Sequence, residues 1–299
     1  MREKDYYKSF NLMMKIDISH MLPDIKSLPP FPEVAQKVIA TLDDPEVGIQ
    51  ELVEIVQYDP NLTANILKMA NSAYFGFPRE VHSLNQALLY LGTQNLFKII
   101  IASGATRLYG RCCNGYILDQ GELWRHSVST AIMASVISRW LGGQDGALLF
   151  TAALLHDIGK LVLDYYVHDA FAEIMALVKE GNYAFQEAER AVIGVDHATV
   201  GGEIARQWNF PDKIRLAIAY HHLETPEALK NDLALLVYLA DLLVIILGTN
   251  QGVDGLAYRG HPQVMKHFGL RVRHLEQLLA LFWPEMQKAQ EFFDLDFRV

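Results

Sequence analysis

The segment ALLHDIGK, residues 153–160, places a histidine and an aspartate side by side within an apolar stretch. Imidazole and carboxylate groups are costly to bury unless a hydrogen-bond partner or a metal ion satisfies them. Neighbouring residues of a helix point about 100° apart. His156 and Asp157 can therefore serve one site only near a helix end or across two ions, and Gly159 predicts such an end. The segment predicts a metal pocket.

Further imidazole and carboxylate groups recur on both sides of this doublet. Upstream, Glu122 and His126 are four residues apart, which places them on one face of a helix. Downstream, Asp241 interrupts the apolar run 233–247, where a lone ionised carboxylate would shift its pKa or require a cation. The predicted metal ligands are Glu122, His126, His156, Asp157, His197, His221, His222 and Asp241.

The sequence leaves the roles of some polar residues open. Glu122 is equally compatible with an ordinary helix surface. Lys160 is either a solvated cation or a group that holds a phosphate oxygen. Ordinary core or surface roles are predicted for the six histidines outside the ligand set, which are His20, His82, His168, His261, His267 and His274.

The two oxygens of the Asp157 carboxylate can bridge two ions, an arrangement that activates water for attack on phosphorus. We therefore take Asp157 and Lys160 as the candidate catalytic residues. The predicted cofactors are two divalent transition metals, with a third through Glu122. Iron or manganese is the first expectation, because the ligands offer nitrogen and oxygen without a thiolate, but zinc or nickel would also accept this set.

The order of these ligands resembles the HD superfamily of metal-dependent phosphohydrolases. In the amino-terminal half, LPPFPEVA at 28–35, Asp59-Pro60, KMANSAYFG at 68–76, SLNQA at 83–87 and Leu91-Gly92 are similar to the HDOD family, the HD-related output domain of bacterial signalling proteins. The resemblance extends from about residue 22 to about residue 283. It implies an all-α fold in which a small amino-terminal helical lobe packs on an HD-like helical lobe.

Many HDOD members have lost the metal ligands and are thought to act without catalysis, whereas this chain keeps the whole set. Its ligands look more like those of the HD-GYP phosphodiesterases of cyclic di-GMP, which hold two or three metals. However, the sequence LETPEA at 223–228 follows His221-His222, and it contains no Gly-Tyr-Pro. Cyclic di-GMP is therefore not the expected substrate.

Two functions follow from this resemblance. The first is an HDOD-type signal-transduction protein that retains a binuclear metal site and engages other signalling proteins. The alternative is an active metal-dependent phosphohydrolase or phosphodiesterase that acts on a nucleotide or cyclic nucleotide. In either case the pocket would accept a nucleotide or phosphate ligand.

Composition excludes some broader classes of protein. The formal net charge of −9 at pH 7 and the lack of a dense basic stripe argue against general nucleic-acid binding. The longest apolar run contains Asp241 and is too short for a membrane span. The adjacent pair Cys112-Cys113 is a poor disulfide framework, and the first residues lack the apolar stretch of a signal peptide. We expect a cytoplasmic protein.

Helical periodicity continues along nearly the whole chain. It predicts an amino-terminal extension at 1–21, a first helical lobe at 22–110 and a metal-binding lobe at 111–299. The lobe boundary is placed in the glycine-containing stretch 109–116. Within the second lobe, helices are expected over 145–165, 168–180 and 211–222, among others.

Overall fold

The computed structural model describes residues 17–42, 54, 56–57, 59–72, 75–77, 79–109, 114–143, 146–181, 183–248 and 260–289. Helices dominate these residues, and no β-strand occurs among them. The predicted all-α fold is confirmed. Residues 110–113 lie outside the described ranges, so the proposed lobe boundary and the pair Cys112-Cys113 remain predictions.

The amino-terminal part contains α1 (Ile18–Ser27), α2 (Glu33–Ala40), α3 (Pro60–Ala70) and α4 (Leu84–Tyr109). Helix α3 begins where the sequence suggests, because the Asp59 side chain accepts a hydrogen bond from the Leu62 amide and Pro60 occupies the first turn. Helix α4 is interrupted at Gly92, whose φ of 70° is non-helical.

The second part contains nine helices within the described ranges. They are α5 (Glu122–Leu141), α6 (Gly146–Leu155), α7 (Lys160–Gly181), α8 (Phe185–Val192), α9 (His197–Gln207), α10 (Asp212–Ala219), α11 (Asp232–Ile246), α12 (Pro262–His267) and α13 (Val272–Lys288). Short 3₁₀ turns cover Asn114–Tyr116 and Ala228–Lys230.

Helices α5, α6 and α11 form the centre of this second part, and each packs on the other two. Every residue from Ala147 to Leu155 is buried, so the apolar character of α6 reflects its place in the core. The stretch 146–181 is apolar enough to cross a membrane, yet 89% of its most apolar window is buried inside the protein. A break at residues 156–159 also divides it into α6 and α7.

The amino-terminal helices pack against this central group, as predicted. The Tyr109 hydroxyl donates to the Leu154 carbonyl at 2.9 Å, and Lys98 Nζ donates to Ser135 Oγ at 3.1 Å. On another side, the rings of Phe31 and Trp208 lie 5.4 Å apart. Both apolar and polar contacts therefore join the two parts.

Three helix boundaries differ from the prediction, and two of the differences concern the site. The helix predicted over 145–165 is divided, since α6 ends at Leu155 and α7 begins at Lys160, in agreement with the helix end predicted at Gly159. Helix α7 then continues to Gly181, so the separate helix predicted over 168–180 is wrong. The turn between the two helices packs closely on α9, since a Cβ atom at Gly159 would be only 1.9 Å from the His197 carbonyl oxygen. The helix predicted over 211–222 ends at Ala219, which leaves His221 and His222 in a turn.

Candidate metal centre

The predicted ligands converge from five places in the second part of the fold. Three of them are on helices: His126 on α5, Asp241 on α11 and His197 at the first position of α9. The two doublets lie in turns that follow α6 and α10. Six of these seven side chains are buried, and His222 is partly exposed. Apart from Glu122, the predicted ligands therefore come together in one cluster.

The first group of the cluster surrounds one oxygen of Asp157. Asp157 Oδ2 lies 3.3 Å from His156 Nε2 and 3.7 Å from His126 Nε2. Asp241 Oδ1 lies on the same side, 2.9 Å from His126 Nε2 and 3.6 Å from His156 Nε2. Donor atoms of His126, His156 and Asp157 all lie within 4.8 Å of one another, a separation that suits one shared ion.

The second group surrounds the other oxygen of the same carboxylate. Asp157 Oδ1 lies 3.5 Å from His197 Nε2 and 3.8 Å from His221 Nε2. The Nε2 atoms of His197 and His222 are 2.8 Å apart, and these three histidines form a second set of donor atoms within 4.8 Å. Asp157 thus separates two clusters of donors, one on each oxygen.

Several buried atoms in the cluster lack a hydrogen-bond partner in the protein. They include His156 Nε2, His221 Nε2 and Asp241 Oδ1, which accepts no well-angled hydrogen bond despite its short distance to His126. Unpaired polar atoms are costly to bury. A metal ion bound by these atoms would remove that cost, so the donor set fits the proposed ions.

Backbone carbonyls fix the orientation of two histidine rings, those of His156 and His221. Each carbonyl contacts Nδ1, so the Nε2 atom of each ring faces the cluster. The Nδ1 atoms of His156 and His221 lie 2.7 Å from the Ala153 carbonyl and 2.8 Å from the Ile218 carbonyl. A carbonyl only accepts, so each Nδ1 carries a hydrogen, and Nε2 is the ring nitrogen that faces the cluster and would coordinate an ion. Such outer contacts orient metal ligands in known sites.

His197 is held by a carboxylate that the sequence reasoning did not single out. Glu189 on α8 is completely buried, and its Oε2 accepts from His197 Nδ1 at 2.7 Å and from the His197 amide at 3.1 Å. Its Oε1 accepts from the Tyr116 hydroxyl at 2.6 Å. A signal was present in the sequence, because Glu189 falls on the apolar stripe of α8 with Phe185, Ala188 and Val192.

The buried charges in the cluster influence one another strongly. Burial opposes ionisation of Asp157, but His156 and Lys160 hold the pKa of its carboxyl well below the usual range. Burial would lower the pKa of His156, yet Asp157 and Asp241 raise it to about 10. Burial, together with His156 and His197, lowers the pKa of His221 to about 3. Protons and metal ions therefore compete for some of these nitrogens, whereas His221 is neutral and ready to coordinate.

Lys160 and Glu122 are not among the donor groups of the cluster, and each has its own hydrogen-bond partner. Lys160 is buried, donates to Asp157 Oδ2 at 2.6 Å and lies 5.5 Å from the centre of the Tyr116 ring. It is therefore a buried charge partner of Asp157, and a solvated cation is excluded. The Glu122 carboxylate accepts from the Asp119 amide at 2.7 Å, and the two donor groups do not include it.

A cavity of about 720 Å³ opens beside the second group. His222 lines it, together with Arg190, Tyr220, Glu224 and His261. His261 had been assigned an ordinary role from the sequence, because nothing in its local pattern indicates that α12 begins near the cluster. The cavity gives the metal centre a side with room for a ligand of nucleotide size.

Comparison with known proteins agrees with this architecture. The profile of the HDOD domain matches residues 28–224. A protein of Treponema pallidum, whose function is uncharacterised, is 24% identical over 201 residues, which are 66% of this chain and 38% of that protein. The chain thus spans well under half the length of this curated relative.

Two crystal structures share the fold. An HDOD domain protein of unknown function from Geobacter sulfurreducens is 24% identical with a TM-score of 0.73, over 94% of this chain and 99% of that one. A proposed phosphohydrolase from Shewanella amazonensis is 22% identical with a TM-score of 0.68, over 92% of this chain and 97% of that one.

Proposed function

We propose that this chain, which belongs to the HDOD domain family, is a signal-transduction regulator that binds two divalent transition metals in its buried cluster. Its partners would be other signalling proteins of a bacterial cytoplasm. His126, His156 and Asp241 would hold one ion, His197, His221 and His222 would hold the other, and Asp157 would bridge them. Iron or manganese is the first choice for this set of nitrogen and oxygen donors, with zinc or nickel next.

The observation that carries this proposal is the division of donors around Asp157. Its Oδ2 faces His126 and His156, while its Oδ1 faces His197 and His221. A purely structural network would give every buried polar atom a hydrogen-bond partner, yet His156 Nε2, His221 Nε2 and Asp241 Oδ1 lack one in the protein. Two clusters of lone pairs on one carboxylate are typical of a bridged binuclear centre.

The alternative is an active phosphohydrolase or phosphodiesterase, which the open cavity beside His222 favours. When bound, the ions would generate hydroxide at neutral pH and polarise a phosphoryl oxygen. The chain itself would contribute Asp157 to hold both ions in place, and Lys160 to keep that carboxylate ionised through its 2.6 Å contact. Glu189 would keep His197 oriented from behind.

Elemental analysis of protein purified without an affinity metal column tests the metal proposal. We expect about two transition-metal ions per chain, because Asp157 divides the donors into two clusters. Asp157→Ala should lose both ions, whereas Asp169→Ala, an exposed aspartate on α7, should keep them. Protein that carries no metal and gains none from added iron, manganese or zinc would refute the proposal. Loss of one ion only in Asp157→Ala would refute the bridge.

A panel of phosphodiesters and nucleotides separates the regulator from the enzyme. Iron- and manganese-loaded protein should show little or no turnover, in particular of cyclic di-GMP. Turnover that both His156→Ala and Asp157→Ala abolish would establish the enzyme instead, since both residues belong to the cluster and neither lines the cavity. Turnover that survives both substitutions would indicate a contaminating activity.

A further inference from the structure

We propose that the cavity beside the metal centre binds a phosphorylated ligand of nucleotide size through Arg190, and that Glu224 occupies this arginine until the ligand displaces it. This inference rests on the proposed binuclear centre and names the ligand class of that site. It is argued from the place where the cavity meets the cluster, from the two carboxylates that share Arg190, and from the charge that bound ions would bring.

The cavity meets the metal centre at one ligand. His222 is the only one of the seven clustered residues that lines the cavity, and it is also the one with partial exposure. A ligand that enters here reaches the second group first. The cavity volume of about 720 Å³ lies within the range of about 300–1,000 Å³ typical of small-molecule sites.

The charge of the loaded centre favours an anion at this point. Around the buried centre, two divalent ions and Lys160 would bring more positive charge than Asp157, Asp241 and Glu189 balance. The cavity wall adds the carboxylates of Glu187, Asp196 and Glu224 beside Arg190, so an incoming phosphate takes the place of a carboxylate that is already there. Bound cations are often the largest charges in a site, so they decide which ligand is attracted. A phosphate group would supply the missing negative charge and oxygen donors.

Arg190 is held between two carboxylates that differ in exposure and in their other contacts. Its Nη1 pairs with Asp196 Oδ2, and its Nη2 pairs with Glu224 Oε2. The Asp196 side chain is only 2% exposed, and its other oxygen caps α9 by accepting from the Thr199 amide at 2.6 Å. The Glu224 side chain is 25% exposed and lies in the turn after the second doublet. Asp196 is therefore a fixed anchor, whereas Glu224 can be exchanged.

Glu224 occupies the position that a phosphate oxygen would take on the guanidinium. Arginine recognises carboxylate and phosphate through the same planar donor pattern, so one can replace the other. Leu223, between His222 and Glu224, has a φ of 58°, an uncommon backbone conformation for a bulky residue. This backbone turn directs His222 to the cluster and Glu224 to Arg190. Ala219, Leu223 and Leu229 supply apolar lining for the remainder of a nucleotide.

Calorimetric titration of the metal-loaded protein with inorganic phosphate and with adenosine monophosphate tests the inference. Glu224→Gln should bind both anions about tenfold more tightly, a change of about 1.4 kcal/mol, because the competing charge is gone. Arg190→Gln should bind them at least about tenfold more weakly. Glu227→Gln is the matched control, because it removes the same charge from the same turn at a residue that does not line the cavity.

The outcomes separate this inference from the proposed function. Metal content is measured for every variant, so protein without metal refutes the proposed function itself. If Glu224→Gln keeps its metal but binds the anions no more tightly, Glu224 does not compete with phosphate for Arg190. An ion pair with a structural role only would change the melting temperature of this variant and leave its anion affinity unchanged. Tightening in Glu224→Gln and weakening in Arg190→Gln support it. Adenosine monophosphate that binds no more tightly than inorganic phosphate would refute the nucleotide-sized site.

Discussion

Replacing Gly159 by alanine tests how closely the first doublet must approach α9. A Cβ atom at this position would lie 1.9 Å from the His197 carbonyl oxygen and 2.6 Å from the Gly201 amide nitrogen. Both neighbours are backbone atoms of α9, so no flexible side chain can yield. The turn at 156–159 and α9 would have to separate by more than about 1 Å to restore ordinary contact distances of about 3.5 Å.

That separation has two expected effects. Overpacking in a core typically costs about 1–3 kcal/mol, and a clash with backbone belongs at the upper end of that range. In a protein of this size each kcal/mol lowers the melting temperature by about 2–4 °C, so we expect a decrease of about 5–10 °C. Metal binding tolerates displacements of only about 0.2 Å. Because Asp157 and His197 move apart, the bridged ions should be lost.

Differential scanning calorimetry and elemental analysis measure the two effects. Gly260→Ala is the control, since no atom lies within 4 Å of its added Cβ and its φ requires no glycine. A Gly159→Ala variant with an unchanged melting temperature and full metal content would show that the doublet turn can move away from α9 without consequence. The close backbone contact between Gly159 and α9 would then not be what fixes the position of the doublet.

Three further predictions concern the cluster and the join between the two parts of the fold. Glu189→Gln should weaken metal binding about 10–100-fold in chelator competition, because the charge behind His197 is lost; an affinity equal to that of the exposed control Glu173→Gln would refute its orienting role. A chelator that removes the metal should lower the melting temperature. The loss of stability should be about 2.7 kcal/mol if free metal was present at about 100 times its Kd. An unchanged melting curve with confirmed metal loss would place the donors at a surface. Burial and the nearby Arg139 lower the pKa of Lys98 to about 8. Between pH 8 and 10 this lysine is therefore protonated in the unfolded chain and largely deprotonated in the folded one. The free energy of unfolding should rise with pH over this range, because the unfolded chain binds more protons. Lys98→Met should lack this part of the rise in denaturant titrations, and an identical slope would show that Lys98 keeps an ordinary pKa.

The sequence alone determined the fold class and nearly all of the cluster. Helical periodicity and the order of histidines and aspartates are local patterns that can be seen in the sequence. A charged residue within an apolar run, such as Asp241, also indicates a partner, because an unpaired charge is costly to bury. The proposal that Asp157 bridges two ions also started from the chemistry of one residue with two carboxylate oxygens. The structure places the other donors on two sides of Asp157: His126, His156 and Asp241 on one, and His197, His221 and His222 on the other.

The surroundings of these residues followed from the packing of the folded chain. Whether Lys160 is solvated depends on Asp157 and Tyr116, and Tyr116 is distant in sequence. The close approach of the first doublet turn to α9, which leaves no room for a Cβ atom at Gly159, joins residues about forty positions apart in the sequence. The contact between Glu189 and His197, and the sharing of Arg190 by Asp196 and Glu224, join different helices and turns. Contacts of this kind are set by the packing of helices against one another, which a linear pattern of residue types does not encode.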